Sequence, residues 1–391
     1  MKKCVWMAAV LMAVPGWAGV TNVTSGGPLY SSLTQAVAVA ASGDELRVST
    51  GAYFGNLVIA GKHLNIRGGY APDFAARVYE PEQTVVSTSG VAPVVFIDGG
   101  ARVLLEAVRI TGGGIFLLWG GGVFAGDNCV VTARYCQIDG NVSWFGGGVA
   151  AWSNATLVVE ATWIDHNTAL VEGGGVYAFL EGRVVLKEPV ACFENWAPRG
   201  GGVTLCGASL TTHGGCQFDG NTAVERGGAL YLFNGARAEI APHARFGWTA
   251  PNVVTNGDGG CVYAESSTLT MRGDAAAITC MRGSRATRNG GALYLSNSVC
   301  MLADHIEVAG LGATNMPGLF GGGIYALDSV VTLSNHVRVH SCVAAAGGAI
   351  AAQRSALTLL DGVTIGDTNY WLMKGPAWPA AASMPMTARR G

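Results

Sequence analysis

The sequence predicts an all-β solenoid in which each repeat of the chain forms one coil. Composition is the first observation: 58 of the 391 residues are glycine, and charged residues make up only 13%. A disordered chain or a coiled coil needs far more charge, and collagen needs glycine at every third position, so these classes are excluded. The second observation is a Gly-Gly motif that recurs nine times, at steps of 26 to 32 residues. The third observation is that short β-branched runs, bounded by Gly, Asn and Pro, lie between successive motifs.

The N-terminus has the features of a secretory signal peptide over residues 1–18. Lys2 and Lys3 precede the apolar run 4–14, which is too short to span a bilayer, and small residues allow cleavage after Ala18. We therefore expect an exported protein that is extracellular, periplasmic or held at the outer membrane or cell surface. No later segment has eighteen uncharged apolar residues, which predicts no membrane-spanning segment in the mature chain. A net charge of −2 without a basic stripe excludes nucleic acid as a partner.

Residues 19–43 are predicted to cap the N-terminal end of the solenoid. Ser32 and Gln35 form a capping box, the Ala- and Val-rich run 33–41 follows as a short helix, and Gly43 ends it. Such a helix covers the core and the strand edges that an open end exposes. The first strands are expected at 46–49, 57–59 and 64–67, and the solenoid is expected to cover 44–366. Residues 367–391 carry no repeat and are expected to form a second cap or a loose tail.

The Gly-Gly motifs set the register of the coils. Their second glycines are Gly121, Gly147, Gly174, Gly201, Gly228, Gly260, Gly291, Gly322 and Gly348. Counted from this glycine, position +2 is always Val, Leu or Ile, and position +4 is always Ala or Leu. Because side chains alternate along a strand, +2 and +4 must point into the core and +3 and +5 must point outwards. With earlier coils before Gly113, we expect about ten to twelve coils stacked at about 4.8 Å.

An asparagine precedes most of the motifs by six or seven residues. The elements IDGN, IDHN, CFEN and FDGN place it at Asn141, Asn167, Asn195 and Asn221. Asn315 has the same offset, and Cys342 occupies the slot in the last coil. Asparagine tolerates tight turns and bonds to nearby backbone, so these side chains are predicted to stack as a structural ladder of amides.

The pairing of an FxxN element with GGA(I/L/V), as in FDGNTAVERGGAL at 218–230, resembles the repeat of chlamydial-type polymorphic outer membrane proteins. The resemblance covers about residues 115–352 and implies a right-handed parallel β-helix of the pectate-lyase-like superfamily. That fold carries lyases, hydrolases and adhesins, so the resemblance does not by itself select a function. Polymorphic outer membrane proteins end in a membrane β-barrel, and the 39 residues after the last motif of this sequence are too few for such a barrel.

Acidic residues recur two positions before the asparagines. Asp139, Asp165 and Asp219 share this slot, and Glu194 lies close to it in its own coil. Stacked in register, Asp139 and Asp165 would lie about one strand spacing apart, near the roughly 5 Å of a retaining glycosidase pair. Clustered carboxylates also suit Ca²⁺. The alternative is a solvated or turn-capping Asp that the repeat places in every coil. We predict no metal site and no cofactor, and Asp139 and Asp165 are the catalytic candidates if the protein is an enzyme.

Aromatic residues fill many outward positions of the motif strand. The +3 and +5 slots hold Phe124, Trp152, Tyr177, Phe179, Tyr231, Phe233, Tyr263, Tyr294 and Tyr325. Glu265 is the one ionised residue in these slots. Two interpretations stay open, because stacked rings can stabilise neighbouring strands or can form an exposed face that binds a ligand.

The sequence favours a binding, adhesive or structural surface module over an enzyme. Nine cysteines follow the predicted signal peptide, an odd number that cannot pair completely, and small buried thiols are expected. Metal-ligand spacings and the acid pairs of polygalacturonases are missing from the sequence. Carbohydrate or another surface protein is the expected partner. The alternative is a carbohydrate-active enzyme, a polysaccharide lyase or a glycoside hydrolase, on the same fold.

Overall fold

A computed structural model describes residues 18–114, 118–277, 279–309, 312–313, 320–366 and 371–373 of the chain. The predicted signal peptide, apart from Ala18, lies outside the described residues. So does most of the predicted C-terminal segment 367–391, of which the backbone of Trp371–Met373 is described.

Stacked parallel strands form a β-solenoid, which confirms the predicted fold class. Each coil contributes strands to as many as three sheets that run along the solenoid axis. Sheet 1 is the largest, and its 23 strands are Val20–Asn22, Asp44–Ser49, Gly51–Phe54, Leu64–Tyr70, Thr84–Ser87, Arg102–Glu106, Arg109–Thr111, Val130–Arg134, Gln137–Asp139, Thr156–Asp165, Arg183–Phe193, Ser209–His213, Gln217–Asp219, Arg237–Ile240, Arg245–Phe246, Thr268–Arg272, Thr279–Arg282, Val299–Ala303, Ile306–Ala309, Val330–Ser334, Arg338–His340, Ala356–Leu359 and Thr364–Ile365.

Sheets 2 and 3 complete the coils. The twelve strands of sheet 2, which contains the Gly-Gly motif strands, are Leu57–Ala60, Val95–Asp98, Val123–Ala125, Val149–Ala151, Val176–Phe179, Val203–Cys206, Leu230–Phe233, Val262–Glu265, Leu293–Ser296, Ile324–Leu327, Ile350–Gln353 and Trp371–Met373. The seven strands of sheet 3 are Val142–Phe145, Thr168–Glu172, Trp196–Arg199, Thr222–Arg226, Val253–Val254, Arg285–Ala286 and Gly312–Ala313. In two neighbouring coils the two strands of sheet 1 run together into one long strand, Thr156–Asp165 and Arg183–Phe193.

The motif strand is oriented as its alternation predicted. Val176 and Ala178, at +2 and +4, are 1% and 0% exposed, and the same two positions of the other motif coils lie in the same large apolar core. Glycine is required at the turn between sheets 3 and 2, where Gly173 has φ +70° and an added Cβ would lie 2.4 Å from the Val176 carbonyl oxygen. The chain therefore folds back sharply from each strand of sheet 3 into sheet 2.

One α-helix, Leu33–Val39, is present in the described part of the chain, and it packs on the first coil. The Ser32 hydroxyl accepts a hydrogen bond from the Gln35 amide, and Leu33, Ala36 and Val37 are buried. The helix ends two residues before the predicted 41. A strand that the sequence did not suggest, Val20–Asn22, pairs antiparallel with Asp44–Ser49. Neither this helix nor any other helical segment of the described residues has the length and apolarity that crossing a membrane requires.

Candidate functional site

The asparagines of the repeat stack in a continuous row at the turn between sheets 1 and 3. Asn141 Nδ2 donates to Asn167 Oδ1 at 3.0 Å, Asn167 Nδ2 to Asn195 Oδ1 at 3.1 Å, and Asn195 Nδ2 to Asn221 Oδ1 at 3.1 Å. Asn252 extends the row at 3.1 Å from Asn221. The sequence pattern missed Asn252 because it lies eight residues before Gly260, outside the six- or seven-residue offset. Asn315 lies outside the described residues.

The acidic row lies directly before these asparagines on the outer side of sheet 1. Asp139 pairs in register with Asp165, and Asp165 pairs in turn with Phe193, which pairs with Asp219. All three carboxylates are shielded, with residue exposures of 7%, 3% and 2%. The Asp139 carboxylate accepts two hydrogen bonds from Arg109, at 2.9 and 2.6 Å. Within the described ranges, no group of three or more His, Cys, Asp or Glu residues is arranged to hold a metal ion.

His166 joins the buried Asp165 to the exposed Glu194. Its Nδ1 lies 2.8 Å from Asp165 Oδ2, and its Nε2 lies 2.6 Å from Glu194 Oε2. Two carboxylate oxygens facing both ring nitrogens favour the doubly protonated imidazolium. Burial opposes this charge, but the hydrogen bond to Asp165 and the nearby carboxylates prevail and raise the pKa of His166. Burial also raises the pKa of Asp165.

An open pocket of about 210 Å³ lies beside this cluster and is named here the Gln217 pocket. Its wall combines the Phe193 ring with the polar side chains of Glu194, Gln217, Asp219 and Thr249. Its residues from sheet 1 belong to two neighbouring strands of adjacent coils, which lie about 4.8 Å apart. The pocket therefore offers an apolar ring, an amide, a hydroxyl and carboxylates within a small volume.

Asp219 positions one side of the Gln217 pocket. Its carboxylate accepts hydrogen bonds from Gln217 Nε2 at 2.6 Å and from the backbone amides of Trp248 and Thr249 at 2.8 and 2.9 Å. The Thr249 hydroxyl donates a fourth at 2.5 Å. Sequence reasoning singled out Asp219 and Glu194 but missed Gln217 and the segment 248–250. The available signal was the repeat length, which rises from 27 to 32 residues between Gly228 and Gly260.

Two exposed tryptophans flank the Gln217 pocket along the solenoid axis. Trp163 is 50% exposed and pairs in register with Ala191, which lines the pocket. Trp248 is 44% exposed on the other side. The guanidinium carbons of Arg245 and Arg282 lie 5.0 and 4.4 Å from the centre of the Trp248 ring, which holds that ring in place.

The predicted aromatic face points away from the core, but most of it is not an exposed platform. Tyr177, Tyr231, Tyr263 and Tyr325 are only 3%, 2%, 6% and 8% exposed. The remaining members of the set are half-buried: Phe124, Trp152, Phe179, Phe233 and Tyr294. These outward-pointing rings are therefore largely shielded by other parts of the protein.

The sharp Gly-Gly turn explains the burial of these rings. It brings side chains that lie just before the glycines against the +3 rings, as Phe145 lies with its ring centre 5.2 Å from that of Tyr177. Arg226 Nη1 donates to the Tyr231 hydroxyl at 3.0 Å, and its guanidinium lies 5.0 Å from the centre of the Tyr263 ring. The rings also stack on one another, with centres 4.6 Å apart for Tyr263 and Tyr294 and 5.2 Å apart for Tyr294 and Tyr325. These contacts match the self-stacking interpretation better than a flat binding surface.

All nine cysteines in the described residues are buried. Burial raises the pKa of the thiols of Cys136, Cys192, Cys216 and Cys300 to about 12, so these thiols are held in the neutral, unreactive form. The cysteines therefore contribute small apolar side chains to the core and no reactive site.

Comparisons with known proteins give one similar fold and no family. No protein-family model matches the sequence, and no curated protein matches it. A solved structure that is similar is the catalytic domain of a GH87 alpha-1,3-glucanase in complex with tetrasaccharides, at 9% sequence identity and a TM-score of 0.34. The match covers 83% of this chain, which spans about 64% of the length of that protein.

Proposed function

We propose that this protein is a secreted or cell-surface β-solenoid that binds carbohydrate in the Gln217 pocket. The observation that carries the proposal is the wall of that pocket, where the Phe193 ring stands beside an amide, a hydroxyl and carboxylates. Sugars present hydroxyl groups around an apolar ring face, so they need this combination of polar partners and an aromatic surface. The predicted signal peptide and the resemblance to polymorphic outer membrane protein repeats support an exported surface module of that type.

The arrangement of the acidic residues favours binding over catalysis. Asp139 is held by Arg109, and Asp219 already accepts four hydrogen bonds within the chain. Asp165 is 3% exposed, which keeps it from a substrate. A catalytic acid or base must come within hydrogen-bond reach of the reacting atoms, and only Glu194 of this group is exposed. This group of residues therefore does not offer a free acid and base, and of its members Asp219 and Glu194 line the pocket.

A glycoside hydrolase is the second candidate, and one observation favours it. Asp165 has a raised pKa and lies in register beside Asp139, about one strand spacing away. Two carboxyl groups with different environments at roughly 5 Å are the arrangement of a retaining glycosidase. Replacing Asp139 and Asp165 together by Asn tests this candidate. Loss of a measured glycan cleavage in that double variant would establish the enzyme and reverse our ranking.

The experiment for the proposed function is a glycan array probed with the purified protein and with Gln217→Ala. Reducing-sugar and unsaturated-product assays on the same samples separate binding from cleavage. We expect binding without cleavage, and we expect Gln217→Ala to lose it. Gln83→Ala is the matched control, since Gln83 is exposed and lies far along the chain from the pocket. Binding that survives Gln217→Ala unchanged, or no binding to any glycan, would overturn the proposal.

A further inference from the structure

We infer that the ligand is a linear, uncharged glycan that lies along the solenoid axis and contacts Trp163 and Trp248 on either side of the Gln217 pocket. This inference rests on the proposed carbohydrate binding and adds the class of ligand and its orientation. It depends on two independent features, the position of the exposed tryptophans and the pairing of the charges around them.

The register of sheet 1 fixes where the tryptophans stand. Trp163 pairs with Ala191, Ala191 with Gln217, and Gln217 with Arg245, so three strand spacings separate Trp163 from Arg245. At about 4.8 Å per spacing this is roughly 14 Å along the axis. Trp248 follows Arg245 by three residues and contacts its guanidinium. The distance is longer than a single sugar ring, so both tryptophans can contact one ligand only if it is an oligosaccharide.

Exposed aromatic residues at both ends suit such a chain. Trp163 and Trp248 are about half exposed, and together with the Phe193 ring of the pocket they supply apolar surface along the axis. Tryptophan presents a large, rigid apolar face with little entropy to lose on binding. The Gln217 pocket between them supplies the hydrogen-bonding groups. Apolar contacts at the ends and polar contacts in the middle together describe a strip that runs parallel to the axis.

Many charges near these tryptophans are paired within the protein, while the Arg245 guanidinium lies against the Trp248 ring and has no carboxylate partner among the described residues. Asp165 and Glu194 share His166, and Arg282 pairs with Glu307, which also faces His340. A ligand charge that used Asp165, Glu194 or Arg282 would have to break one of these pairs. A polyanion such as a uronic acid chain would also meet the carboxylates of Glu194 and Asp219, and a polycation would meet Arg245 and Arg282. An uncharged glycan meets neither penalty.

Titration calorimetry with short and long sugars tests the inference. The uncharged probes are cellohexaose, laminarihexaose and chitohexaose with their disaccharides, and hexagalacturonate is the charged probe. We expect at least one uncharged hexamer to bind, and Trp163→Ala and Trp248→Ala each to weaken it about tenfold, as an aromatic contact of ordinary strength would. Binding of the matching disaccharide should change less than twofold.

Matched variants keep the result interpretable. Trp144→Ala removes a tryptophan of similar exposure from sheet 3, in a coil that does not line the pocket, and should leave hexamer binding unchanged. Trp163→Phe and Trp248→Phe keep a ring and should retain most of the affinity. Circular dichroism melting curves identify any variant that fails to fold. If an Ala variant fails, hexamer binding is compared between the wild-type protein and the Phe variant at that position.

The possible outcomes separate the inference from the proposed function. If hexamer binding is lost in Gln217→Ala but is unaltered in both Trp→Ala variants, the axial strip is wrong and the proposed function stands. Tighter binding of hexagalacturonate than of every uncharged hexamer would also overturn the inference alone. If no sugar on the array or in these titrations binds, the proposed function itself fails.

Discussion

Replacing Asn195 with Ala is expected to destabilise the solenoid by about 4 kcal/mol. The side chain makes four hydrogen bonds to nitrogen and oxygen partners inside the protein, and its Nδ2 also donates a weak one to Cys192 Sγ at 3.4 Å. Its Nδ2 donates to the Ile164 carbonyl at 2.9 Å and to Asn221 Oδ1 at 3.1 Å. Its Oδ1 accepts from the backbone amide of Asn167 at 3.0 Å and from Asn167 Nδ2 at 3.1 Å.

The magnitude follows from what the substitution leaves behind. A net hydrogen bond contributes about 1 kcal/mol, and a buried group that loses its partner costs about 1–3 kcal/mol. The Asn167 amide and the Ile164 carbonyl both lose these bonds in a region that water does not reach, since Asn167 and Asn195 are 0% and 1% exposed. Four bonds at about 1 kcal/mol each give the estimate. Backbone strain adds nothing, because the left-handed residue of this turn is Glu194 and not Asn195.

Urea unfolding followed by circular dichroism measures the change, with hydrogen exchange of the Asn167 amide as a local readout. Solenoids can unfold in parts, so the local readout shows whether the loss starts at the turn. Asn256→Ala is the control, since its side chain is exposed, and it should cost less than about 0.5 kcal/mol. A loss below about 1 kcal/mol for Asn195→Ala, with unchanged exchange at Asn167, would refute the reasoning.

Three further outcomes are expected. Tyr263→Ala should lower the free energy of unfolding by about 3 kcal/mol because the ring is 6% exposed, whereas Tyr79→Ala, at 53%, should cost less than about 1 kcal/mol; equal losses would contradict burial as the cause. The pKa of His166 is raised in the folded state, so its contacts with Asp165 and Glu194 stabilise the protein fully below the unfolded pKa of about 6.5. This stabilisation is lost as the pH rises through the folded pKa, and His166→Gln should remove that part of the pH dependence of the urea midpoint. The nine buried thiols should react with a thiol reagent only after unfolding, and fast labelling of the native protein would disprove their burial.

The predicted core positions followed from the sequence because they depend on local rules. Alternation along a strand decides which side chains point inwards, and nine motifs in one register leave a single arrangement that buries all of them. Asn141, Asn167, Asn195 and Asn221 could be singled out in the same way, since each keeps a similar offset from its glycine pair. Asn252 was not recognised from the sequence because an insertion changed its offset from the glycine pair.

The candidate site depended on contacts that no local pattern encodes. The Gln217 pocket joins two coils and an insertion, so its residues are far apart in the chain and meet only when the coils stack. Likewise, the His166 ring contacts the Glu194 carboxylate although 28 positions separate the two residues in the sequence. Residue type alone marked Asp165 and Glu194 as interesting, but which of them is buried and which exposed follows from the neighbouring coils.

The sequence by itself determined the solenoid class, the inward positions of each coil and the residues available at its turns. Periodicity carries this information because the same positions of every coil must place apolar side chains in the core. Only the tertiary structure decided that outward rings such as Tyr231 are buried while Trp163 stays exposed. The physical reason is that "outward" is a property of one strand, whereas exposure depends on which side chains of the neighbouring sheet lie over it, as Arg226 of sheet 3 lies over Tyr231.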